Sequence, residues 1–309
     1  MARSILFAGD CDVDLVMSGL ARPPMEDREV FCEGFAAAAG GSTLLAAAGY
    51  ARLGGAAEFC GLAGEDHYGR EIAAGLAAAG VGSRLLRMTR DVATAVTLNL
   101  VRGSTRTQVT FSGTLGAMDE AARLVAELES GAVGFAHLHV SGVYGMPRFR
   151  SGVRGLLEAA RRAGLTTSLD TQWDEREEWE GLDSWLPLLD FLFVNADEAR
   201  SITGRADPAA AWRDLSGRTS RPIVKLGPEG AYAGGRAYPP CRVEVLDPTG
   251  AGDTFAAGYL YATIEEGRGP DEAMRFAQAA GAIACTYAGG LGPGLSRAKV
   301  LELAGLPPA

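Results

Sequence analysis

At 309 residues the chain is longer than a minimal domain and suits one large α/β domain carrying an appendage. Its 47% hydrophobic but only 7% aromatic content points to an Ala/Leu/Val core, and a net charge of −9 argues against nucleic acid or an anionic membrane as a bulk partner. Cys11, Cys32, Cys60, Cys241 and Cys285 form no Cys-x-x-Cys pair, the first apolar run is too short for a signal peptide, and no stretch approaches a membrane span, so the expected setting is reducing and cytoplasmic.

The opening run Ser4–Ala8 reads as a buried strand stopped by Gly9. A helix over 43–53, ended by Gly54-Gly55, leads to a strand at Ala57–Leu62 and a helix at Tyr68–Ala79 closed by Gly80. From 92 to 111 the pattern alternates between β-branched and polar residues around a turn at Arg102–Arg106, which predicts a hairpin with one wet face. Strand and helix then alternate: Phe135–Val140, Arg148–Ala163, Thr166–Asp170, Phe191–Val194, Ala196–Thr203 and Pro222–Lys225. Short β pieces follow at Ala231–Ala233, Ala237–Tyr238 and Arg242–Val245, then helices over 252–266 and 270–287. Gly181–Pro187 and Gly204–Thr219 read as surface segments. The expectation is a doubly wound, mostly parallel central sheet with helices on both faces, all within 1–309. A small β lid, formed by about 13–33 and 92–111, is inserted into it.

The stretch Asp247-Pro-Thr-Gly-Ala-Gly-Asp253 carries the strongest chemical signal. Gly250 and Gly252 can present bare backbone N–H groups, and the helix start behind them adds unpaired donors and a partial positive charge that favour an anion. An acid at 253 beside an anion cradle makes sense if it takes a proton from a nucleophile attacking the bound anion, the logic of phosphoryl transfer to an alcohol. The plainer alternative is a strand–turn–helix connection with Asp253 serving the helix dipole.

Other polar residues fall at strand ends, where ligands of a doubly wound sheet bind. Asp10, Asp12 and Asp14 follow the first strand, and Asp12 and Asp14 lie on one side of an extended segment. Gly40-Gly41-Ser42-Thr43 opens a helix as a capped turn. Asn195 and Glu198 have the spacing of a capping box after the strand at 191–194. Phe276–Thr286 is rich in Ala and Gly, which suits either a flat base lying close or tight helix packing. His137 and His139 share a strand face without a visible third ligand, so packing is favoured over metal binding, and Asp170 and Asp174 stand near a strand end as substrate-side or solvated acids. No Gly-x-x-x-x-Gly-Lys-Ser/Thr is present, and no Gly-x-Gly-x-x-Gly follows the first strand, which argues against P-loop and dinucleotide folds.

In this order the motifs resemble the ribokinase-like (PfkB) carbohydrate kinases over essentially the whole chain, with Asp-x-x-Gly-Ala-Gly-Asp as the hallmark. The resemblance implies an ATP- and Mg²⁺-dependent kinase phosphorylating a primary hydroxyl of a small sugar or sugar-like alcohol. It implies Asp253 as general base, Gly250, Ala251 and Gly252 as the anion turn, and Asp12, Asp14, Gly40 and Gly41 on the substrate side. Asn195, Lys225, Gly227, Gly230, Gln278 and Gly281 would border the nucleotide, with the loop Ala288–Gly294 beside the adenine. Glu198 would organise Mg²⁺ through water, and Asp247 a monovalent cation such as K⁺, as in some members. Gly61–Gly69 looks like the family's first signature, structural in role, while Leu45 departs from the family's sugar-binding Asn and Lys225 from its usual Thr. The departure at 45 leaves a nucleoside kinase of the same superfamily as the alternative, and a non-catalytic sugar sensor as the rival from another class; a lid sheet can also form a homodimer.

Overall fold

The structure, a computed structural model, describes residues 4–102, 105–131, 134–287, 289–290 and 294–309. The tip of the predicted 92–111 hairpin, at 103–104, and most of the loop at 288–294 lie outside the described residues.

In chain order the strands are β1 (Ser4–Gly9), β2 (Asp12–Ser18), β3 (Gly34–Gly40), β4 (Ala57–Gly64), β5 (Gly82–Thr89), β6 (Val96–Arg102) and β7 (Thr105–Phe111). They continue as β8 (Phe135–Ser141), β9 (Thr166–Asp170), β10 (Phe191–Asn195), β11 (Pro222–Lys225), β12 (Ala231–Ala233) and β13 (Arg236–Tyr238). Among the described residues nine of them form one sheet in the order β13-β12-β11-β10-β9-β8-β1-β4-β5, parallel from β11 to β5 and antiparallel at the β12–β13 end. The chain winds outward from β1 to β4 and β5, then returns to lay β8 on the other side of β1 and winds the opposite way. The order therefore reverses beside β1, and the crevice at that reversal is where a ligand is expected.

Side-chain alternation explains why both faces are covered. On β1, Ile5 and Phe7 point into one core while Leu6 and Ala8 point into the other, and all four are fully buried. Helices α1 (Ser42–Arg52) and α2 (His67–Ala79) lie over the first face. A short α3 (Gly113–Ala117), then α4 (Ala121–Ser130), α5 (Pro147–Arg162), α6 (Leu182–Trp185), α7 (Ala196–Thr203) and α8 (Pro208–Ser216) serve the second. The chain ends with α9 (Ala251–Leu260), α10 (Pro270–Ala284) and α11 (Arg297–Ala304), back on the first face. Small residues set the spacing there: a Cβ on Gly49 would stand 3.3 Å from Ala257 Cβ, and one on Gly258 would stand 2.8 Å from Ala280 Cβ. The centre of the layer is thus a close α1–α9–α10 stack, and it fixes the N-terminus of α9 against the sheet.

The remaining strands form a separate small sheet in the order β3-β2-β6-β7, in which β2 and β6 run parallel and the outer pairs antiparallel. Its third segment differs from expectation: β3 spans Gly34–Gly40, beyond the predicted 13–33. Its alanines favour helix by propensity, and pairing along the whole of β2 overrides them. Arg242–Val245, predicted as a strand, is irregular and joins neither sheet among the described residues. Gly204–Thr219 contains α8, capped by Asp207, with Ala211 and Leu215 buried, and Gly181–Pro187 buries Trp185 and Leu186. Neither is merely a surface segment. The helix expected over 252–266 is α to Leu260 and then widens into a π turn at Tyr261–Glu265. The predicted helix over 270–287 is α only to Ala284, and β5 and α4 were not read from the sequence.

Candidate active site

The site begins at the start of α9. Gly250 is its N-cap in a left-handed conformation, φ 75°, and as a glycine it brings no capping side chain. First-turn N–H groups of a helix have no partner within the helix, so they are available to an anion. A Cβ on Gly250 would lie 2.9 Å from Gly290 Cα, so both the angle and the space require glycine. Leu45, the departure from the family pattern, lies against this turn: it would be 3.3 Å from a Cβ on Gly250 and is buried. It supports the anion turn and offers no hydrogen bond.

Asp253 sits one turn in, 9% exposed, and its neighbours are polar and charged. Gln172 donates its amide N–H to Asp253 Oδ1 at 3.2 Å, and the Ser42 hydroxyl approaches from α1. Burial pushes the carboxyl up to about 8, reinforced by the nearby Asp170 charge and partly offset by Lys225. Lys225 ends β11 with its ammonium 2.5 Å from Asp170 Oδ2. A Cβ on Gly252 would stand 3.3 Å from that ammonium, which places the cation at the anion turn. Burial pulls Lys225 down, but Asp170 and Glu198 together outweigh it and hold the ammonium up, hence charged.

The substrate-side candidates divide. Asp10 is structural: its carboxylate accepts the Ser42 and Thr43 N–H groups, both at 2.8 Å, and the Thr43 hydroxyl at 2.6 Å, and so anchors the Gly40-Gly41 turn to β1. Asp12 and Asp14 lie on one face of β2 and converge on Gly40, where an added Cβ would crowd Asp14 Oδ2 and come within 2.9 Å of Asp12 Oδ1. Thr97 donates its hydroxyl to Asp12 Oδ2, and Asn99 donates to Asp14 Oδ1 at 2.7 Å. Asp12 Oδ1 is buried and has no hydrogen-bond partner among the described residues, and burial together with Asp14 pushes this carboxyl up to about 8. A buried acceptor facing a glycine gap suits a donor from a ligand hydroxyl.

A cavity of about 570 Å³ opens beyond Lys225, within the size range of small-molecule sites. Lys225, Gly227, Gly230, Ala251, Gly252, Gln278 and Gly281 all line it, so most of the predicted nucleotide residues converge on one space. The irregular Arg242–Val245 segment contributes Arg242, Val243 and Val245 to its wall. Its walls are mostly apolar and its inner end meets the anion turn, which fits a flat base at one end and phosphates at the other. Gly281 also faces the backbone of α9: a Cβ there would stand 2.9 Å from Ala251 O. That contact is tight packing of α10 against α9, the plainer of the two readings of this helix.

Asn195 and Glu198 stand behind Lys225 and do not line the cavity. They form a reciprocal capping box on α7, with Glu198 N donating to Asn195 Oδ1 at 2.9 Å and Asn195 N to Glu198 Oε2 at 2.8 Å. Asn195 Nδ2 and the Thr171 hydroxyl also donate to Glu198, at 2.7 and 3.0 Å. Burial raises this carboxyl, although Lys225 opposes the shift. Among the described residues no group of three or more His, Cys, Asp or Glu side chains is placed to hold a metal. Asp247 accepts N–H groups from Thr249 and Gly289, each at 2.9 Å, and thereby ties the anion turn to the loop after α10.

Two further residues belong to the cluster in roles the sequence does not reveal. Asp170 was an undecided acid at a strand end and is the buried counter-ion of Lys225; Asp174 instead accepts the Arg176, Glu178 and Trp179 N–H groups and shapes its own loop. Gln172 gave no signal, since its role depends on a left-handed backbone, φ 54°, that no spacing reveals. His137 and His139 are buried and share the Ser168 hydroxyl at 2.7 Å, as expected for packed histidines. Gly61–Gly69 is architectural: Asp66 accepts from Gly69 N and from Thr94 N, each at 2.8 Å, joining the start of α2 to the entry of β6.

The doubly wound parallel sheet, covered by helices on both faces and accompanied by a small separate sheet, places the protein in the α/β class. The profile of the pfkB family carbohydrate kinase matches residues 3–296, and the chain belongs to that family of sugar kinases. It is 30% identical over 311 residues to a fructokinase of Klebsiella pneumoniae, covering 94% of this chain and 96% of the other. Its fold matches Arabidopsis thaliana ribokinase complexed with ribose and ATP at a TM-score of 0.81 and 23% identity, over 99% and 100% of the two chains. It likewise matches a putative ribokinase II from E. coli in complex with ATP and Mg²⁺ at 0.83 and 21%, over 98% and 99%. Among the described residues no helix is long and apolar enough to cross a membrane.

Proposed function

We propose that this sugar kinase phosphorylates a primary hydroxyl of a small sugar or sugar-like alcohol with Asp253 as general base. The observation that carries the reading is the buried Asp253 carboxyl, raised to about 8, at the open N-terminus of α9. A base works best with its pKa near the working pH, and one beside an anion turn can accept a hydroxyl proton as the alcohol attacks. When bound in the cavity, ATP with Mg²⁺ supplies the γ-phosphoryl group and neutralises part of its charge. Gly227, Gly230, Gln278 and Gly281 would hold the base, the Gly250–Gly252 N–H groups and Lys225 the phosphates, and Glu198 the ion through its water shell.

Asp12 and Asp14 would accept sugar hydroxyls over the glycine gap at Gly40. The small sheet carrying them would act as a lid, excluding water from the reacting hydroxyl. A sensor would have no use for a buried carboxyl at a phosphate turn. The test is ADP release from ATP and Mg²⁺ in the presence of fructose, ribose, sugar alcohols or nucleosides. Release that depends on one of these acceptors supports the reading, and none above the water background across the panel would end it. A nucleoside preferred over every sugar would place the enzyme in the other branch of the superfamily.

A further inference from the structure

We propose that Gln172 is a positioning residue that holds the Asp253 carboxylate in register with Lys225; this rests on Asp253 acting as the base. Three observations carry it. First, the Gln172 amide nitrogen lies between two buried carboxylates, 3.2 Å from Asp253 Oδ1 and 3.5 Å from Asp170 Oδ1, while Lys225 holds the other oxygen of Asp170. Asp253, Gln172, Asp170 and Lys225 thus form one chain of contacts from α9 through the end of β9 to β11. Second, once Asp253 is ionised the amide has only one orientation that works, because its oxygen turned toward two carboxylates would face acceptors alone.

Third, Gln172 is one of four described non-glycine residues with φ between 49° and 55°, and the only one of them touching a member of the site. A left-handed glutamine persists where its surroundings hold it there, and such strained positions gather where a side chain must be aimed. The charged groups around Asp253 are Asp170 from β9, Lys225 from β11 and Asp10 from the loop after β1, with the Ser42 hydroxyl from α1. Without the amide, the two acids would repel across the gap it fills and the carboxylate would be free to turn away from the anion turn.

The test uses the full chain and two variants. Gln172→Met keeps the bulk but removes the donor, while Gln172→Gly removes the side chain at a position whose backbone glycine adopts without strain. Both are expected to lower kcat at least ~10-fold, with KM for ATP and for the acceptor within about two-fold of wild type. The acid limb of the kcat–pH profile should move upward, since a donor to the ionised carboxylate has been lost. Gln172→Gly should unfold thermally at the same temperature as wild type or higher, which separates a lost aim from a lost fold. The same shift is read with no acceptor from the stability difference between each protein and its Asp253→Asn counterpart, followed from about pH 5 to about pH 9. If both variants keep wild-type kcat and profile while Asp253→Asn is inactive, Gln172 does not position the base. A fully active Asp253→Asn would instead remove the base itself, a distinct result that also ends this inference.

Discussion

The molecule holds two buried carboxyls raised to about 8, Asp253 at the start of α9 and Asp12 on the small sheet, and they are built differently. Asp253 belongs to a cluster with its own cation: Lys225 opposes the shift and lies at the anion turn, and the cluster is mounted on the close-packed α1–α9–α10 layer. Asp12 has the neighbouring acids Asp14 and Asp10 and the Thr97 hydroxyl, with no cation among the causes of its shift, and among the described residues one of its oxygens has no partner. Burial dominates both shifts, so burial alone does not distinguish a base from a binder. The surroundings do. A base near a phosphate needs a fixed cation and a rigid mount, whereas an acceptor that awaits a ligand hydroxyl is left unsatisfied on the element that would close over it.

The largest effect expected from breaking this contrast is at Asp253. Asp253→Asn should reduce kcat by at least ~10²-fold with little change in KM for ATP, measured by coupled ADP release. In the wild type, kcat should climb as pH rises through about 8, because only the ionised carboxyl accepts a proton. Stability should run the other way. A carboxyl raised from 3.8 to about 8 favours the folded state fully below pH 3.8, and this contribution is lost as pH rises to about 8. Asp253→Asn should therefore melt higher than wild type near neutral pH, by a margin that widens up to about pH 8 and is absent in acid. Activity and stability falling together in this variant would mean that Asp253 is a structural group.

Lys225→Met comes next. It removes the cation at the anion turn and leaves Asp170 buried without a counter-ion, so it should both slow turnover by ~10-fold or more and destabilise the fold by about 3–5 kcal/mol. Adding Asp170→Asn should recover much of the stability but not the turnover. Denaturant melts and kcat on the single and double variants separate the two contributions. Recovery of turnover in the double variant would show that Lys225 serves only to neutralise Asp170.

How much of this was legible in the sequence follows from where each interaction is encoded. Most of the parallel sheet was readable because β1, β4, β8, β10 and β11 are short, largely apolar runs, whereas the charged β5 carries no such signal. The glycines of the anion turn were readable because they mark a backbone need within seven residues. β3 was not, since its four alanines carry no strand signal and become a strand only by pairing with β2. Arg242–Val245 failed the opposite way: its alternating valines suggest a strand, but the segment joins no sheet and lines the cavity beside α10 instead. Asp170 and Gln172 were hidden because their partners are 55 and 81 residues away. Their meaning exists only once β9, β11 and α9 have been brought to the same end of the sheet.

On the small sheet the effect should appear in binding. Above about pH 8, where the Asp12 carboxyl is ionised, Asp12→Asn replaces a charged acceptor with a neutral one, and hydrogen bonds to charged groups contribute about 1.5–3 kcal/mol, so KM for the acceptor measured there should rise by roughly 10- to 100-fold with kcat much less affected. That split, opposite in kind to Asp253→Asn, is what two differently mounted acids predict. An Asp12→Asn variant losing kcat at constant KM would put both acids in the same role.

The smallest effect is at Asn195, where the capping box and the proposed Mg²⁺ role overlap. Asn195→Ala removes an N-cap from α7 and should cost about 1 kcal/mol of stability whatever its part in catalysis. The cap also holds Glu198, through Asn195 N, Asn195 Nδ2 and the Thr171 hydroxyl, and Glu198 in turn helps to keep Lys225 charged. Of these, the variant removes only the Nδ2 donor. The Mg²⁺ concentration giving half-maximal rate should therefore rise only a few-fold, while saturating Mg²⁺ restores kcat. An Mg²⁺ requirement unchanged from wild type would confine Asn195 to capping the helix, whereas a rise beyond ~10-fold would show that its side chain binds the ion's water shell directly.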